Sequence, residues 1–277
     1  MPSSPAETYQ LLHGDCLKVL PTLEAASHDL VVTSPPYNLG INYRSFDDTA
    51  SRSDFLDWCR AWSAEVKRVL TDDGSFFLNV GAAPSNPLFP HQVLLALTED
   101  LFTLQNTFHW VKSITIETRK GEQISAGHFK PINSKRYVND CHEYVFHLTK
   151  SGDVPLDRRG AGVPYQDKSN IARWGHTGGE DKRCRGNTWF IPYDTIVSRD
   201  KERPHPATFP IGLVEQCIRL HGKAETTRLL DPFLGIGTSA LAAKRRKIAH
   251  FTGIELDDYY LSVAKERLEA PEEQELF

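Results

Sequence analysis

The stretch Ser34-Pro35-Pro36-Tyr37 places a hydroxyl, two rigid residues and an aromatic ring directly after the strand-like run 29–32. Proline fixes φ, so the carbonyl of Pro35 would point in one steady direction beside the Ser34 hydroxyl, a second hydrogen-bond acceptor. Two such acceptors can bind both protons of a nucleobase amine and turn its conjugated lone pair toward an attacking geometry. The ring of Tyr37 could stack on a base removed from a duplex. The alternative is a proline-stiffened turn in which Tyr37 only packs.

A second pattern lies two hundred residues later, in the stretch LLDPFLGIGTSALAA. Asp231 ends a strand, Gly235 and Gly237 follow, and an apolar helix begins near Thr238, which is the arrangement that brings a ligand to a helix amino terminus. Glu255 ends the next strand, where an acid can accept hydrogen bonds from both ribose hydroxyls. These residues predict a site for a nucleotide-like cofactor, either a nicotinamide or S-adenosylmethionine. The alternative is that both acids only cap a loop or a helix.

Taken in order, Ser34 to Tyr37, a basic segment and Asp231 to Thr238 resemble the beta-group of DNA amino-methyltransferases, enzymes typical of prokaryotic restriction-modification systems. The resemblance covers nearly the whole chain. It implies an α/β, Rossmann-like fold of the S-adenosylmethionine-dependent methyltransferases with a circularly permuted motif order and an inserted target-recognition subdomain. It also selects S-adenosylmethionine over a nicotinamide as the cofactor.

The resemblance assigns roles residue by residue. HPATFP (205–210) resembles the family motif that precedes the glycine loop, and RGNTWFIP (185–192) resembles the motif just ahead of HPATFP. HGDCLKVL (13–20) resembles the segment whose acidic residue binds the adenine of the cofactor. The implied catalytic residues are Ser34, Pro35, Pro36 and Tyr37. The implied cofactor contacts are Asp15, Cys16, Ser34, Phe209, Pro210, Asp231, Phe233, Gly235, Gly237, Thr238 and Glu255. The strand before Asp15 should lie beside the strand of Glu255, so the two ends of the chain should meet at the adenosine.

The elements that would position these residues alternate between strand-like and helical periodicity over the first hundred residues. Helical spacing covers 54–70 and 91–101, and strands are expected at 74–81 and 104–112, which is typical of parallel strands joined by helical crossovers. The rhythm lapses from about 112 to 203 and then returns. We therefore expect a catalytic half at 1–111, a target-recognition region at 112–203 and a cofactor-binding half at 204–277.

Charge supports a role for the middle region. The whole chain has a net charge of -4, yet residues 111–203 contain 17 Lys or Arg against 12 Asp or Glu. Such a segment can serve as a phosphate-facing surface, although a basic loop without a partner is the alternative. The candidate phosphate contacts are Lys112, Arg119, Lys120, Lys130, Lys135 and Arg136. The candidate contacts to base edges are Arg158, Arg159, Arg173, Arg183 and Arg185.

Ser34 bears on which base is modified. Methylation of a cytosine ring carbon needs a thiol nucleophile, usually in a Pro-Cys pair, and no cysteine follows a proline here. Among the resembling enzymes, Asp or Asn at this position is usual for adenine, and Ser resembles enzymes that make N4-methylcytosine. We therefore expect transfer to the N4 amine of cytosine in double-stranded DNA, with the N6 amine of adenine as the alternative. More remote alternatives are a DNA-binding protein with an inactive pocket, a nicotinamide oxidoreductase and a methyltransferase of RNA or protein glutamine.

Composition restricts the remaining classes. The five cysteines are far apart and form no metal-binding spacing, so no metal is expected. The sequence has no apolar run long enough to cross a membrane and no secretion signal at its start, which predicts a cytoplasmic protein that reaches the prokaryotic nucleoid through DNA. The resemblance adds a homodimer and a cognate restriction endonuclease as candidate partners.

Overall fold

The computed structural model describes residues 8–41, 43–117, 123–127, 133–173, 178–192 and 208–270. Within these ranges nine strands form one mixed sheet in the order β1-β9-β8-β2-β3-β6-β4-β5, with β7 paired to β4. The strands are β1 (Thr8–His13), β2 (His28–Thr33), β3 (Leu70–Val80), β4 (Thr103–Glu117), β5 (Gln123–Gly127), β6 (His142–Thr149), β7 (Thr188–Pro192), β8 (Arg228–Asp231) and β9 (His250–Glu255).

Helices join most of these strands. They are α1 (Cys16–Val19), α2 (Arg52–Val69), α3 (Phe89–Thr98), α4 (Ser169–Arg173), α5 (Ile211–His221), α6 (Thr238–Arg245) and α7 (Asp258–Glu269). Crossovers through α2 and α6 make β2 parallel to β3 and β8 parallel to β9. The predicted α/β architecture is confirmed, and the helices and strands expected from periodicity are present.

Side chains alternate between the two faces of the sheet, and each face has its own core. On β2, Leu30 and Val32 pack with residues of α5, α6 and α7, whereas Val31 packs with residues of α2 and α3 on the other face. Successive residues of a strand point to opposite faces, so an apolar run such as 30–32 can be buried on both. This burial fixes the register that brings β2 against β8, with Leu30 opposite Leu229 and Val31 opposite Leu230.

The strand directions decide which residues meet at the functional edge. Strands β1, β9, β8, β2 and β3 are mutually parallel, so their carboxyl ends lie at one edge of the sheet. Strand β6 is antiparallel to β3 and to β4, so its amino end reaches the same edge. Ligands of open α/β sheets bind outside the carboxyl ends of the strands. The edge therefore gathers residues from both halves of the sequence.

The predicted boundary at 111/112 falls inside a strand, and the one at 203/204 lies outside the described residues. Residue 112 lies inside β4, and both β6 and β7 pair with strands of the main sheet. The described residues of 112–203 therefore contribute strands to the main sheet in addition to loops, and Phe146 of β6 and Trp189 of β7 are buried in its core. In the described residues, no helix has the length and apolar character needed to span a membrane.

Candidate active site

A cavity of about 680 Å³ opens at the carboxyl edge of the sheet. Loops after β1, β2, β3, β8 and β9 line it, together with residues of β4 and β6. Of the predicted site residues, those in its wall are Asp15, Cys16, Ser34, Pro35, Pro36, Tyr37, Lys112, Phe209, Phe233, Gly235, Thr238 and Glu255. Two motifs that lie two hundred residues apart in sequence therefore share one pocket, whose volume is typical of a site for a cofactor and part of a substrate.

Backbone N–H groups fix Glu255 in the wall of this cavity. The N–H of Gly235 donates to its Oε2 at 2.7 Å, and the N–H of Asp257 donates to its Oε1 at 2.9 Å. Burial raises the pKa of Glu255, while these two hydrogen bonds act in the opposite direction. Each carboxylate oxygen has two lone pairs, so both can accept a further hydrogen bond from a ligand. Gly235 itself has a φ of +56°, a conformation that favours glycine.

Asp231 does not line the cavity, in contrast to its predicted contact with the cofactor. Its fully buried carboxylate accepts hydrogen bonds from Thr33 Oγ1 at 2.6 Å, Ser239 Oγ at 2.5 Å and the N–H of Phe233 at 3.0 Å. These donors come from the end of β2, the start of α6 and the glycine loop. The side chain of Asp231 therefore ties together the elements that carry the two motifs, and burial raises its pKa.

Gly237 and Pro210 also lie outside the cavity wall, although both were predicted to contact the cofactor. Gly237 has a φ of +82° and precedes α6, and a Cβ there would stand 2.9 Å from the Cβ of Ala264 on α7. This glycine is required for close packing of two helices. Pro210 caps α5, and its neighbour Phe209 reaches the cavity.

The first strand and the last strand meet at the cavity. Strands β1 and β9 are parallel neighbours with His13 opposite Glu255, and the N–H of Gly14 donates to the carbonyl of Glu255 at 2.8 Å. Asp15 therefore lies next to the predicted ribose site, and its carboxylate caps α1 through the N–H of Leu17. Burial raises the pKa of the Cys16 thiol, which makes it a packing residue of the wall and a poor nucleophile.

The tip after β2 forms a hydrogen-bonded network, hereafter the amine network, of Ser34, Tyr37, Asn79, Lys112 and Glu143. The Tyr37 hydroxyl lies 2.7 Å from Ser34 Oγ and donates to Glu143 Oε2 at 3.0 Å. Asn79 Nδ2 donates to Tyr37 Oη at 2.9 Å and to Glu143 Oε2 at 2.6 Å. Burial and the neighbouring carboxylate raise the pKa of Tyr37 well above its ordinary value, so the phenol stays protonated at neutral pH.

Lys112 has a different setting from the predicted phosphate contact. Its Nζ lies 2.9 Å from Glu143 Oε1, and both side chains are mostly buried, with 22% and 10% of their surface exposed. Sequence reasoning missed Asn79 and Glu143. The signal for each was a polar residue within an apolar strand, in GSFFLNVG and HEYVFHLTK.

The loop that follows the tip covers one side of the cavity. The buried carboxylate of Asp48 accepts hydrogen bonds from the N–H groups of Asn38, Leu39 and Ile41 at 2.7 to 3.1 Å. Further along the loop, Ser45 Oγ donates to Asp257 Oδ2 at 2.5 Å. This contact links the loop of the amine network to the start of α7.

Aromatic rings form another side of the cavity. The rings of Phe46 and Phe233 lie 5.3 and 5.4 Å from Trp58 on α2, and all three residues line the pocket. Such faces attract cations as well as flat groups. Phe46 and Trp58 were not singled out from the sequence, whereas Phe233 was.

The predicted DNA-binding residues fall into separate places. Arg119, Lys120 and Lys130 lie outside the described residues. Lys135 and Arg136 are exposed in the segment that leads into β6 at the cavity edge, with the Arg136 guanidinium 5.1 Å from the centre of the Tyr137 ring. These two cations therefore lie near the edge of the sheet at which the cavity opens.

The remaining arginines lie elsewhere. Arg158 and Arg159 lie beside the carboxyl end of α5, where the N–H of Asp157 donates to the carbonyl of Leu220. The cavity is at the other end of this helix, roughly 16 Å away for 11 residues. The predicted contacts of these two arginines with base edges stay a prediction. Of the others, Arg173 is exposed at the end of α4, Arg183 pairs with Val163 through its backbone, and Arg185 donates to Gln216.

Comparison with known proteins identifies the family to which this chain belongs. The N6/N4 methyltransferase family, described as DNA methylase, matches residues 28–266. This chain belongs to that family of DNA methylases. It is 31% identical over 272 residues to the type II methyltransferase M.ScaI of Streptomyces caespitosus, and the aligned region covers 96% of this chain and 83% of that protein. It is 27% identical over 271 residues to the DNA adenine methyltransferase YhdJ of Escherichia coli K12, which covers 95% and 83%.

The solved structure of a relative identifies the cofactor. The DNA modification methylase TTHA0409 of Thermus thermophilus, in complex with S-adenosylmethionine, superposes on this methylase with a TM-score of 0.61 at 26% identity, covering 94% of this chain and 93% of that one. The predicted Rossmann-like methyltransferase fold and the restriction-modification type are thereby confirmed, and the cofactor of this methylase is S-adenosylmethionine. The cavity fits it: its volume is adequate, Glu255 keeps open lone pairs, and the buried Thr208 hydroxyl in the wall has no partner among the described residues.

Proposed function

We propose that this methylase transfers a methyl group from S-adenosylmethionine to the N4 amine of cytosine in double-stranded DNA. The observation that carries the proposal is the position of Ser34 Oγ in the cavity wall, 2.7 Å from Tyr37 Oη. Tyr37 has one hydroxyl proton and donates it to Glu143, so the Ser34 hydroxyl is the donor in its 2.7 Å contact with Tyr37. Ser34 Oγ has two lone pairs, of which one faces Asn79 Nδ2 at 3.4 Å and the other remains for a proton of the target amine.

The neighbouring residues complete the amine site. The Pro35 carbonyl is the second acceptor, and the proline rings hold it in place. With both amine protons accepted, the nitrogen lone pair is directed away from the ring plane and toward the methyl donor. Ser34 is neutral, so it orients the amine without an added charge. This setting, together with the resemblance of Ser34 to enzymes that make N4-methylcytosine, supports cytosine.

The base must leave the duplex to reach Ser34, because that residue lies in the wall of a cavity. We infer base flipping, in which the target base stacks against the ring of Tyr37. The Tyr37 hydroxyl is fixed by Ser34, Asn79 and Glu143, so the ring offers a preorganised surface. Lys135 and Arg136, which are exposed at the same edge, are the described candidates for phosphate contacts.

The cofactor would occupy the side of the cavity formed by Gly235 and Glu255. It supplies an electrophilic methyl group on a sulfonium. Glu255 would accept hydrogen bonds from the ribose hydroxyls, and Asp15, next to it across β1 and β9, would bind the adenine amine. Phe233 and Trp58 would face the positively charged end. Asp231 would act by fixing the glycine loop.

Adenine is the second candidate. The same acceptor pair could orient an N6 amine, and the relative YhdJ, whose name specifies adenine, supports that alternative. A homodimer and a cognate nuclease stay predictions, as do the recognition sequence and its contacts.

The experiment is to incubate the purified methylase with unmethylated plasmid DNA and labelled cofactor, digest the DNA and identify the labelled nucleoside by mass. We expect N4-methyldeoxycytidine. Labelled N6-methyldeoxyadenosine would contradict the choice of base. The Ser34→Ala variant is the matched negative control, because it should bind the cofactor and transfer little label.

A further inference from the structure

Glu143 stands at the end of a chain of hydroxyl groups that begins in the amine site. Ser34 Oγ lies 2.7 Å from Tyr37 Oη, and Tyr37 Oη lies 3.0 Å from Glu143 Oε2. Glu143 comes from β6, more than a hundred residues after the tip. The chain of hydroxyls ends on a carboxylate, the only kind of side chain in it that carries a negative charge.

The proton positions in this chain follow from the donor inventory. Asn79 Nδ2 faces Glu143 Oε2 at 2.6 Å, Tyr37 Oη at 2.9 Å and Ser34 Oγ at 3.4 Å, so it takes acceptor positions on those oxygens. The Tyr37 proton points to Glu143, and the Ser34 proton points to Tyr37. Every hydroxyl in the row therefore donates in the same direction, away from the cavity and toward the carboxylate.

We propose that Glu143 is the acceptor of the proton that the target amine loses on methylation, reached through the hydroxyls of Ser34 and Tyr37. The proposal rests on the proposed amine site, although not on the choice between cytosine and adenine. Glu143 is a positioning and proton-accepting residue that acts through Tyr37.

The step balances without any further reactant. The amine lone pair forms the N–C bond as the C–S bond breaks, and the electron pair of that bond stays on sulfur. The methylated nitrogen is then positively charged and gives one proton to Ser34 Oγ. The original Ser34 proton moves to Tyr37 Oη, and the original Tyr37 proton moves to Glu143 Oε2. Both hydroxyls are restored, and the carboxyl group holds the proton.

Lys112 forms an ion pair with this carboxylate. Its Nζ lies 2.9 Å from Glu143 Oε1 in a mostly buried pair, so its positive charge offsets the negative charge of the carboxylate. After the transfer the ammonium faces a neutral acid, which favours return of the proton to water once the product leaves. Among the described residues, Lys112 on β4 and Tyr37 on the tip are the titratable groups in contact with Glu143. The adjacent His142 pairs with Asp140, and the His109 ring lies beside His142.

The backbone also makes room for the carboxylate. A Cβ on Gly81 would stand 3.0 Å from the Glu143 carboxyl group and 3.0 Å from the Tyr37 ring. A buried ion pair is seldom the most stable way to fill such a space, since apolar residues of similar volume often do as well. The position of this pair, in the wall of the reaction cavity and in contact with the tip, favours a part in the chemistry.

The test compares single-turnover methylation by wild type, Glu143→Gln, Lys112→Met and the control Asp72→Asn across pH, with cofactor affinity measured by calorimetry. Asp72 is an exposed partner of Lys150, so its variant keeps the wild-type profile. We expect Glu143→Gln to lose about 100-fold in rate, to lose the acid limb of the profile and to bind the cofactor with less than twofold change. In Lys112→Met the carboxylate is easier to protonate, so the acid limb moves to higher pH.

A second readout does not depend on rate. Infrared difference spectra of the methylated product complex should contain a protonated-carboxyl band in wild type that is absent in Glu143→Gln. The proposal would be overturned by a Glu143→Gln rate within threefold of wild type. It would also be overturned if Glu143→Gln lost the same fraction of its rate at every pH and Lys112→Met left the acid limb unmoved. Failure of the wild type to methylate cytosine would instead contradict the proposed base, because the comparison of variants can be made on either amine.

Discussion

The two sides of the cavity are built in different ways. On the cofactor side, Glu255 is held by the N–H groups of Gly235 and Asp257, all within about twenty residues of one another. On the amine side, Tyr37 is held by Asn79 of β3 and Glu143 of β6, and Glu143 is paired in turn with Lys112 of β4. Local backbone geometry makes the first side, and the topology of the sheet makes the second. One pocket can therefore combine a site made by a local sequence motif with a site whose residues are far apart in the sequence and meet only in the folded sheet.

This difference predicts separate effects of mutation. Changes on the cofactor side should act on affinity for S-adenosylmethionine, and changes on the amine side should act on the rate of transfer. The two sides are connected mechanically through Asp231, which accepts from Thr33 next to the tip and from Ser239 next to the glycine loop. Mutations therefore test whether that connection also couples their functions.

The largest effect is expected for Ser34→Ala. Loss of the hydroxyl removes one of two acceptors for the amine and the first member of the proton chain, so the single-turnover rate should fall about 1,000-fold. Cofactor affinity by calorimetry should change less than threefold. Ser262→Ala, an exposed serine on α7, is the matched control and should have no effect. A Ser34→Ala variant with a normal rate would remove Ser34 from the amine site.

Glu255→Ala should have the next largest effect, on the other side of the cavity. Two hydrogen bonds from the ribose to a charged acceptor would be lost, at a cost of about 3 kcal/mol, or about 100-fold in Kd. The transfer rate at saturating cofactor should fall only a few fold. Glu269→Ala at the exposed end of α7 is the control. Unchanged affinity with a slow transfer step would reverse the roles assigned to the two sides.

Asp231→Ala should act mainly on stability. The substitution leaves two buried hydroxyls and the N–H of Phe233 without their acceptor, so the free energy of unfolding should fall by about 3 kcal/mol. Urea denaturation measures it, with exposed Asp153→Ala as the control. A fully stable variant with weak cofactor binding would contradict the structural role and return Asp231 to the cofactor site.

The comparison also explains how far the sequence could be read. Gly235, Glu255 and the tip at Ser34 were predictable because each follows an apolar strand in a parallel alternation, where the end of the strand marks the functional edge. Asp231 lies at that edge as expected, and its side chain accepts hydrogen bonds from Thr33, Ser239 and Phe233. Whether a strand-end acid faces the ligand or the protein depends on rotations that the sequence does not specify.

Glu143 was missed for a topological reason. It lies at the beginning of β6, and a residue there reaches the cavity only because β6 runs antiparallel to β3. Strand β6 also runs antiparallel to β4, which lies on its far side and contains Lys112. Likewise, Arg158 and Arg159 are part of a basic segment by composition, yet the packing against α5 puts them away from the cavity. Counting charges along the sequence identifies a basic segment, but it does not show which of its side chains share one surface of the folded protein.

The most direct test of the two-sided account is a double-mutant cycle of Ser34→Ala and Glu255→Ala, measured as kcat/KM for S-adenosylmethionine at saturating DNA. Independent sides predict that the two losses multiply, to about 100,000-fold, with a coupling energy below about 0.5 kcal/mol. A double variant no worse than Ser34→Ala alone, which corresponds to a coupling of about 3 kcal/mol, would show that the two residues act as one unit and would contradict the account.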